Sequence, residues 1–90
     1  MRRFPMKRDQ AEPAIVQVLE KAGWWVTPIF IRNGPDLIAC RGGHVVFIEC
    51  KTGKAGLTEG QKAFHAQWKG PAIRILRSQD EAIEFVQEHV

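Results

Sequence analysis

The stretch Pro35-Asp36-Leu37-Ile38-Ala39-Cys40-Arg41-Gly42-Gly43-His44-Val45-Val46-Phe47-Ile48-Glu49-Cys50-Lys51 decides how this chain folds. Two strand-like runs flank Gly42-Gly43, and a Gly-Gly pair tolerates the positive φ that a two-residue hairpin turn demands. If Arg41 pairs with His44, paired residue numbers sum to 85, and Asp36 falls opposite Glu49. Residues directly opposed on antiparallel strands have Cβ atoms roughly 4.5–5.5 Å apart, and like charges there are destabilising. Lys51, two residues past Glu49, points to the same face. Val45 and Phe47 share that face, so it is not simply a solvated one. Two facing carboxylates beside an ammonium stabilise a sheet poorly. They suit a hard divalent cation next to a reacting phosphate.

Outward from the hairpin, the pattern reads as a succession of short elements. Ile15, Val18, Leu19 and Ala22 follow the i, i+3, i+4, i+7 spacing of a buried helical stripe, which predicts a helix over about Asp9–Ala22 ended by Gly23. Pro13 belongs in its first turn. Trp24–Ile31 is β-rich, with Pro28 marking an edge strand or a bulge. Thr58–Trp68 reads as a second helix, opened by the capping-box spacing of Thr58 and Gln61 and stopped by Gly70-Pro71. Ala72–Leu76 is a short strand, and Ser78-x-x-Glu81 opens a last helix with Ile83, Val86 and Phe85 as inward candidates. The order α-β-β-β-α-β-α predicts an α/β fold, a mixed sheet flanked by helices.

The chain has 90 residues, 44% hydrophobic and 26% charged, which suits one small domain over 1–90 with a basic tail at 1–8. No apolar run approaches the ~18 residues of a membrane span, and the basic start lacks the apolar segment of a signal peptide. The expected setting is cytoplasmic. Cys40 and Cys50 fall on opposite faces of the hairpin, which argues against a disulfide, and two cysteines without a His/Cys cluster argue against structural zinc. The net charge of +3 is compatible with a polyanionic partner and decides nothing alone.

Gly34-Pro35-Asp36 at a strand start and Glu49-Cys50-Lys51 at the end of the next resemble the PD-(D/E)xK nuclease superfamily, and within it the small VRR-NUC family. The resemblance extends to a glutamate in the first helix and to Leu57-Thr58-Glu59-Gly60-Gln61 at the start of the second. It covers the chain from about Glu12 to the last strand. It implies a restriction-endonuclease-like fold and a DNA endonuclease that hydrolyses phosphodiester bonds with Mg²⁺ or Mn²⁺. Asp36 and Glu49 would be metal ligands, with the backbone carbonyl of Cys50 a third. Lys51 would orient the attacking water and balance charge at the phosphate. Glu12 would bind metal directly or through water, and Gln61 would stand near the lysine. The implied substrate is branched or double-stranded DNA such as four-way (Holliday) junctions, cut by a homodimer whose two-fold symmetry supplies two sites.

Other readings stand beside these. Glu12 fits a capping arrangement with Asp9, and Glu20 is the rival glutamate, off the inward stripe. Gln61 alone is explained by its capping box. Lys54, in the loop after the Glu49-Cys50-Lys51 strand, is placed to touch a backbone phosphate. Arg2, Arg3, Lys7 and Arg8 fit a loose tail or a phosphate-contacting arm. Trp24, Trp25 and Trp68 fit core, interface or base-stacking positions. His44, His65 and His89 show no ligand spacing and receive no role. The rivals to an active nuclease are a nucleic-acid-binding module without chemistry and a nuclease subunit that needs a larger partner.

Overall fold

The computed structural model describes residues 8–89; Arg2, Arg3 and Lys7 lie outside them. The elements run α1 (Glu12–Lys21), β1 (Trp25–Pro28), β2 (Leu37–Arg41), β3 (His44–Cys50), α2 (Glu59–Gln67), β4 (Ile73–Leu76) and α3 (Gln79–Glu88), the order read from the sequence. They build one four-stranded sheet in the order β1-β2-β3-β4. The first three strands form an antiparallel meander, and β4 returns parallel to β3 after the α2 crossover. Among the described residues no helix is long and apolar enough to cross a membrane.

The hairpin register is the expected one. Arg41 pairs with His44 and Leu37 with Ile48. Gly42 and Gly43 have φ of 57° and 85°, the doubly positive turn that only such residues form cheaply. Strand β2 begins one residue later than the pattern suggested, at Leu37. Asp36 lies just outside the ladder: its amide reaches the carbonyl of Ile48, the partner of Leu37, at 2.8 Å, one residue out of the hairpin register. β1 stops at Pro28, which has no amide to donate, and it is an edge strand as the proline implied.

The alternation along β2 and β3 sorts residues onto two unlike faces. Leu37, Ala39, Val46, Ile48 and Cys50 form one fully covered face with Leu76, packed under Ile15 and Leu19 of α1 and Ala82 and Phe85 of α3. Trp24 closes this core against Phe85, ring centroids 5.2 Å apart. Burying each large side chain here contributes ~1.5–3 kcal/mol. The opposite face carries Ile38, Phe47 and Glu49, against which lie α2 and the Trp68 that follows it. Phe47 meets Trp68 edge-on at 5.1 Å, and Trp68 stacks on Phe64. Helix α2 buries no residue fully, so this second layer is thin.

Helix starts differ in detail from expectation. α1 begins at Glu12, not Asp9. The Asp9 side chain accepts the Ala11 amide in a local turn rather than capping the helix, and Pro13 sits in the first turn. Thr58 and Gln61 form the full reciprocal capping box. At α3, Ser78 accepts the Glu81 amide, but Glu81 reaches back to the amide of Arg77 instead of Ser78. The inward residues of α3 are Ala82 and Phe85 with Val86 partly covered; Ile83 is exposed, contrary to its reading as a core residue. The spacing of Ala82 and Phe85 sets the buried stripe, and Ile83 lies a residue off it.

Candidate active site

Three backbone bonds hold Asp36 before its side chain is considered. Its amide binds Ile48 O, and its carbonyl accepts from Ile29 N at 2.9 Å and Arg8 Nη2 at 3.0 Å. Its Oδ2 then accepts the Cys50 amide at 2.7 Å. That bond ties the carboxylate to the end of β3 beside Glu49, although the paired register itself ends at Leu37–Ile48 and does not include the expected Asp36–Glu49 pair. A residue's N–H and C=O point to the same side of its strand. The Cys50 carbonyl is thereby directed to the Asp36 side as well.

Glu49 is only 2% exposed. Its Oε2 accepts from Gln61 Nε2 at 3.1 Å, while Oε1 is buried without a partner. Burial, then the nearby Asp36 charge and a hydrogen bond shared with the Asp36 carboxyl, push this group up to about 8, against a smaller opposing pull from Lys51. The proton it holds is therefore one that Oε1 can share with Asp36. Gln61 is the hinge of the arrangement. Its Oε1 accepts from Lys51 Nζ at 2.8 Å and from Thr58 N at 2.9 Å, while its NH₂ donates to Glu49. Lysine only donates and carboxylate only accepts, so the amide has one consistent orientation. The capping reading and the site reading of Gln61 are both satisfied by one side chain.

These groups line a cavity of about 370 Å³ together with Arg8, Asp9, Gln10 and Thr52. Asp9 accepts from the Thr52 amide and hydroxyl, joining the segment before α1 to the chain just past Lys51. Burial raises the Asp9 carboxyl, but the bonds from Thr52 and Ala11 and the Lys51 charge outweigh it, and the net direction is down. Asp9 is therefore ionised across the neutral range.

Glu12 stands behind Arg8. The guanidinium binds both its oxygens, Nε to Oε1 at 3.1 Å and Nη2 to Oε2 at 3.0 Å. Glu12, Asp36 and Cys50 nonetheless bring ligand atoms within 4.8 Å of one another. Burial, with the charges of Asp36 and Glu12, drives the Cys50 thiol well above its ordinary range, so it stays protonated and offers a hard cation nothing. Oxygen donors remain: the Asp36 carboxylate, the unpartnered Glu49 Oε1 and the Cys50 carbonyl. An oxygen-preferring divalent ion fits that set, and its charge would relieve the burial of Glu49.

Asp36, Glu49 and Lys51, picked out by spacing, and Gln61, implied by the family resemblance, thus meet in one cavity. Glu12 is adjacent but screened, and Glu20 is exposed on the far side of its helix turn. Lys54 is exposed in its loop and does not line the cavity. Trp24 is core, Trp68 covers the thin layer, and Trp25 faces outward. The sequence reading missed Arg8 and Asp9 as site residues. Arg8, read as part of a basic tail, is instead fixed by Glu12, Ile29 and Asp36. The Arg8–Glu12 spacing of four was a usable signal. Nothing local announced that Asp9 would meet Thr52, 43 residues away.

No family model and no curated protein matches this sequence. A solved structure described as a VRR_NUC domain superposes with a TM-score of 0.76 at 16% identity, over 90% of this chain and 95% of that one. The likeness shows that the two share a fold, the restriction-endonuclease-like mixed sheet flanked by helices.

Proposed function

We propose that this chain belongs with the VRR-NUC nucleases of the PD-(D/E)xK type and is a metal-dependent DNA endonuclease, structure-specific on branched DNA such as four-way junctions. The observation that carries the reading is Glu49, a buried carboxyl held against Asp36 with no donor to its Oε1. Two carboxyl groups held together in a buried site work against stability, and a cation between them would relieve that cost. The shared fold with a VRR_NUC domain supports the same assignment.

Asp36, Glu49 and the Cys50 carbonyl would hold Mg²⁺ or Mn²⁺. When bound, the ion supplies Lewis acidity at the phosphate and lowers the pKa of a coordinated water. Lys51 faces the cavity with its ammonium anchored on Gln61, and its roles are to orient the attacking water and neutralise charge developing on a phosphoryl oxygen. Gln61 keeps Lys51 and Glu49 from collapsing into a direct ion pair by standing between them. Glu12, with both oxygens taken by Arg8, acts on the ion through water. Lys54, exposed beside the cavity strand, contacts a neighbouring backbone phosphate.

Cutting both strands at a junction suits a two-fold homodimer. Trp25 and Val45, 61% and 42% exposed, lie in one row across the sheet because Trp25 pairs with Cys40 and Cys40 with Val45. That apolar row is the surface we assign to the partner copy. The setting is cytoplasmic, with which the two free cysteines agree.

The test compares wild type with Lys51→Ala on labelled four-way junction, linear duplex and single-stranded DNA, in Mg²⁺, Mn²⁺ or EDTA. We expect metal-dependent cleavage of the junction by wild type, a loss of at least 100-fold in the variant on the scale of ~10²–10³ for one electrostatic group, and unchanged folding. Tight binding without cleavage under any metal would instead indicate a binding module.

A further inference from the structure

The loop between β1 and β2 carries two exposed apolar side chains in succession, Phe30 at 63% and Ile31 at 41% exposure. An exposed phenylalanine on a loop is ordinarily free to move. This one is held. One face of its ring lies over the Arg8 guanidinium, 4.9 Å from Cζ to the ring centroid, a cation–π contact. Arg8 is itself fixed by Glu12, Ile29 O and Asp36 O, and it lines the cavity. Phe30 is thus one side chain removed from the cavity.

The backbone on either side of the aromatic is equally constrained. Ile29 N binds Asp36 O, and Gly34 N binds Ile31 O at 2.8 Å, closing a turn through Arg32 and Asn33. Asn33 sits at φ 62°. A Cβ on Gly34 would come within 2.9 Å of Ile31, and one on Gly60 within 2.7 Å of Asn33, so the turn is pressed against the first turn of α2 with no room to spare. The turn holds Phe30 against Arg8 of the cavity lining, with one ring face on the guanidinium and most of the side chain exposed.

We propose that Phe30 is a base-stacking platform, its exposed side receiving an unpaired or unstacked nucleobase of the strand whose phosphate enters the Asp36–Glu49 cavity. The inference rests on the nuclease reading above and gives that reading a source of structure selectivity. Bases within intact duplex are stacked on both sides and present no free face. Bases at a branch point, a fork or a single strand do, and aromatic platforms take any of them because every base has a π-face. The cations fit the same occupant: Arg8 beneath the ring and Arg32, exposed in the turn, face a polyanion. A preorganised ring loses little freedom on binding, which favours stacking over a floppy contact. Whatever seats on Phe30 must leave the neighbouring cavity to a phosphate, and a nucleotide carries its phosphate with it.

The experiment uses wild type, Phe30→Ala and Phe30→Trp on fluorescein-labelled four-way junction, single strand and fully paired duplex. Binding is read by anisotropy in EDTA, and stacking by the quenching of 2-aminopurine placed at positions along the strand. Phe30 is exposed, so all three proteins should melt alike. The expected result is that Phe30→Ala weakens junction and single-strand binding about tenfold and leaves duplex binding within twofold. Phe30→Trp should restore binding, and one 2-aminopurine position should be quenched by wild type and Phe30→Trp only. Equal loss on all three DNAs, or none, overturns the platform. So does a shift from dimer to monomer in sedimentation of Phe30→Ala with DNA binding intact, which would make the loop an interface between copies. Cleavage by wild type in Mg²⁺, measured in parallel, reports on the nuclease reading separately. A protein that cuts the junction and is indifferent to Phe30→Ala keeps the activity and loses the platform.

Discussion

Glu49→Gln should make the metal-free protein more stable, and increasingly so as pH rises. Glu49 is buried, and its carboxyl is pushed from the ordinary 4.5 to about 8 by burial first and by Asp36 second. Between those values the folded chain holds a proton that the unfolded chain has released, so stability falls as pH rises. At ~1.4 kcal/mol per tenfold change in proton affinity, the full span is on the order of 5 kcal/mol, about 3 of it already lost at pH 7. Glutamine has the same shape and never ionises. Its oxygen still accepts from Gln61, and its NH₂ replaces the unpartnered Oε1 with a donor beside Asp36. The assay is urea denaturation of both proteins in EDTA at pH 5, 6, 7 and 8. The two should agree within ~1 kcal/mol at pH 5, and the variant should lead by a few kcal/mol at pH 8, or roughly 4–8 °C in Tm per kcal/mol. Adding Mg²⁺ should raise the stability of wild type at pH 8 and leave the variant unmoved. Parallel pH profiles, or a variant less stable than wild type at pH 8, would refute the claim that this site stores an unfavourable charge for an ion.

Two further substitutions separate the parts of the site. Gln61→Ala removes the bridge between Lys51 and Glu49 together with half of the α2 capping box. We expect a 10–100-fold loss of cleavage with a stability loss of only ~1 kcal/mol, measured by single-turnover kinetics and urea melts. Arg8→Met removes the counter-charge of Glu12 while keeping the aliphatic length that packs under Phe30. Stability should fall by ~1–3 kcal/mol, and divalent-ion affinity by calorimetry should rise, because the cavity becomes more negative; weaker metal binding would show that Arg8 positions Asp36 more than it screens it.

The hairpin shows what was legible in the sequence. A two-residue Gly-Gly turn fixes the register from Arg41–His44 to Leu37–Ile48, and the side-chain period carries Glu49 to the face of Phe47 without reference to any other part of the chain. Asp36 lies just past the paired residues and is set by its bonds to Ile48 and Cys50. The same locality holds for Thr58 and Gln61, three residues apart, and for Pro28 as the mark of an edge. Short-range geometry of this kind follows from hydrogen-bond pattern and side-chain period alone. Which face of a helix meets the sheet is not a local property: the spacing turns Ile83 inward, yet it is exposed, because Ala82 and Phe85 already fill the stripe facing α1 and Trp24.

Tertiary structure decided everything that crosses the chain. That Glu49 is buried with one oxygen unpartnered depends on α2 lying over that face of the sheet, and so does the meeting of Gln61 with Lys51 across ten residues. The direction of its proton affinity follows from that burial, which composition cannot supply. Arg8 could be read as a tail residue only until Glu12, Ile29 and Asp36 were seen to converge on it from three segments. Most residues of the proposed site were written into a local pattern. Their charges, and the company they keep, come from the packing of distant segments, whose contacts no spacing rule encodes.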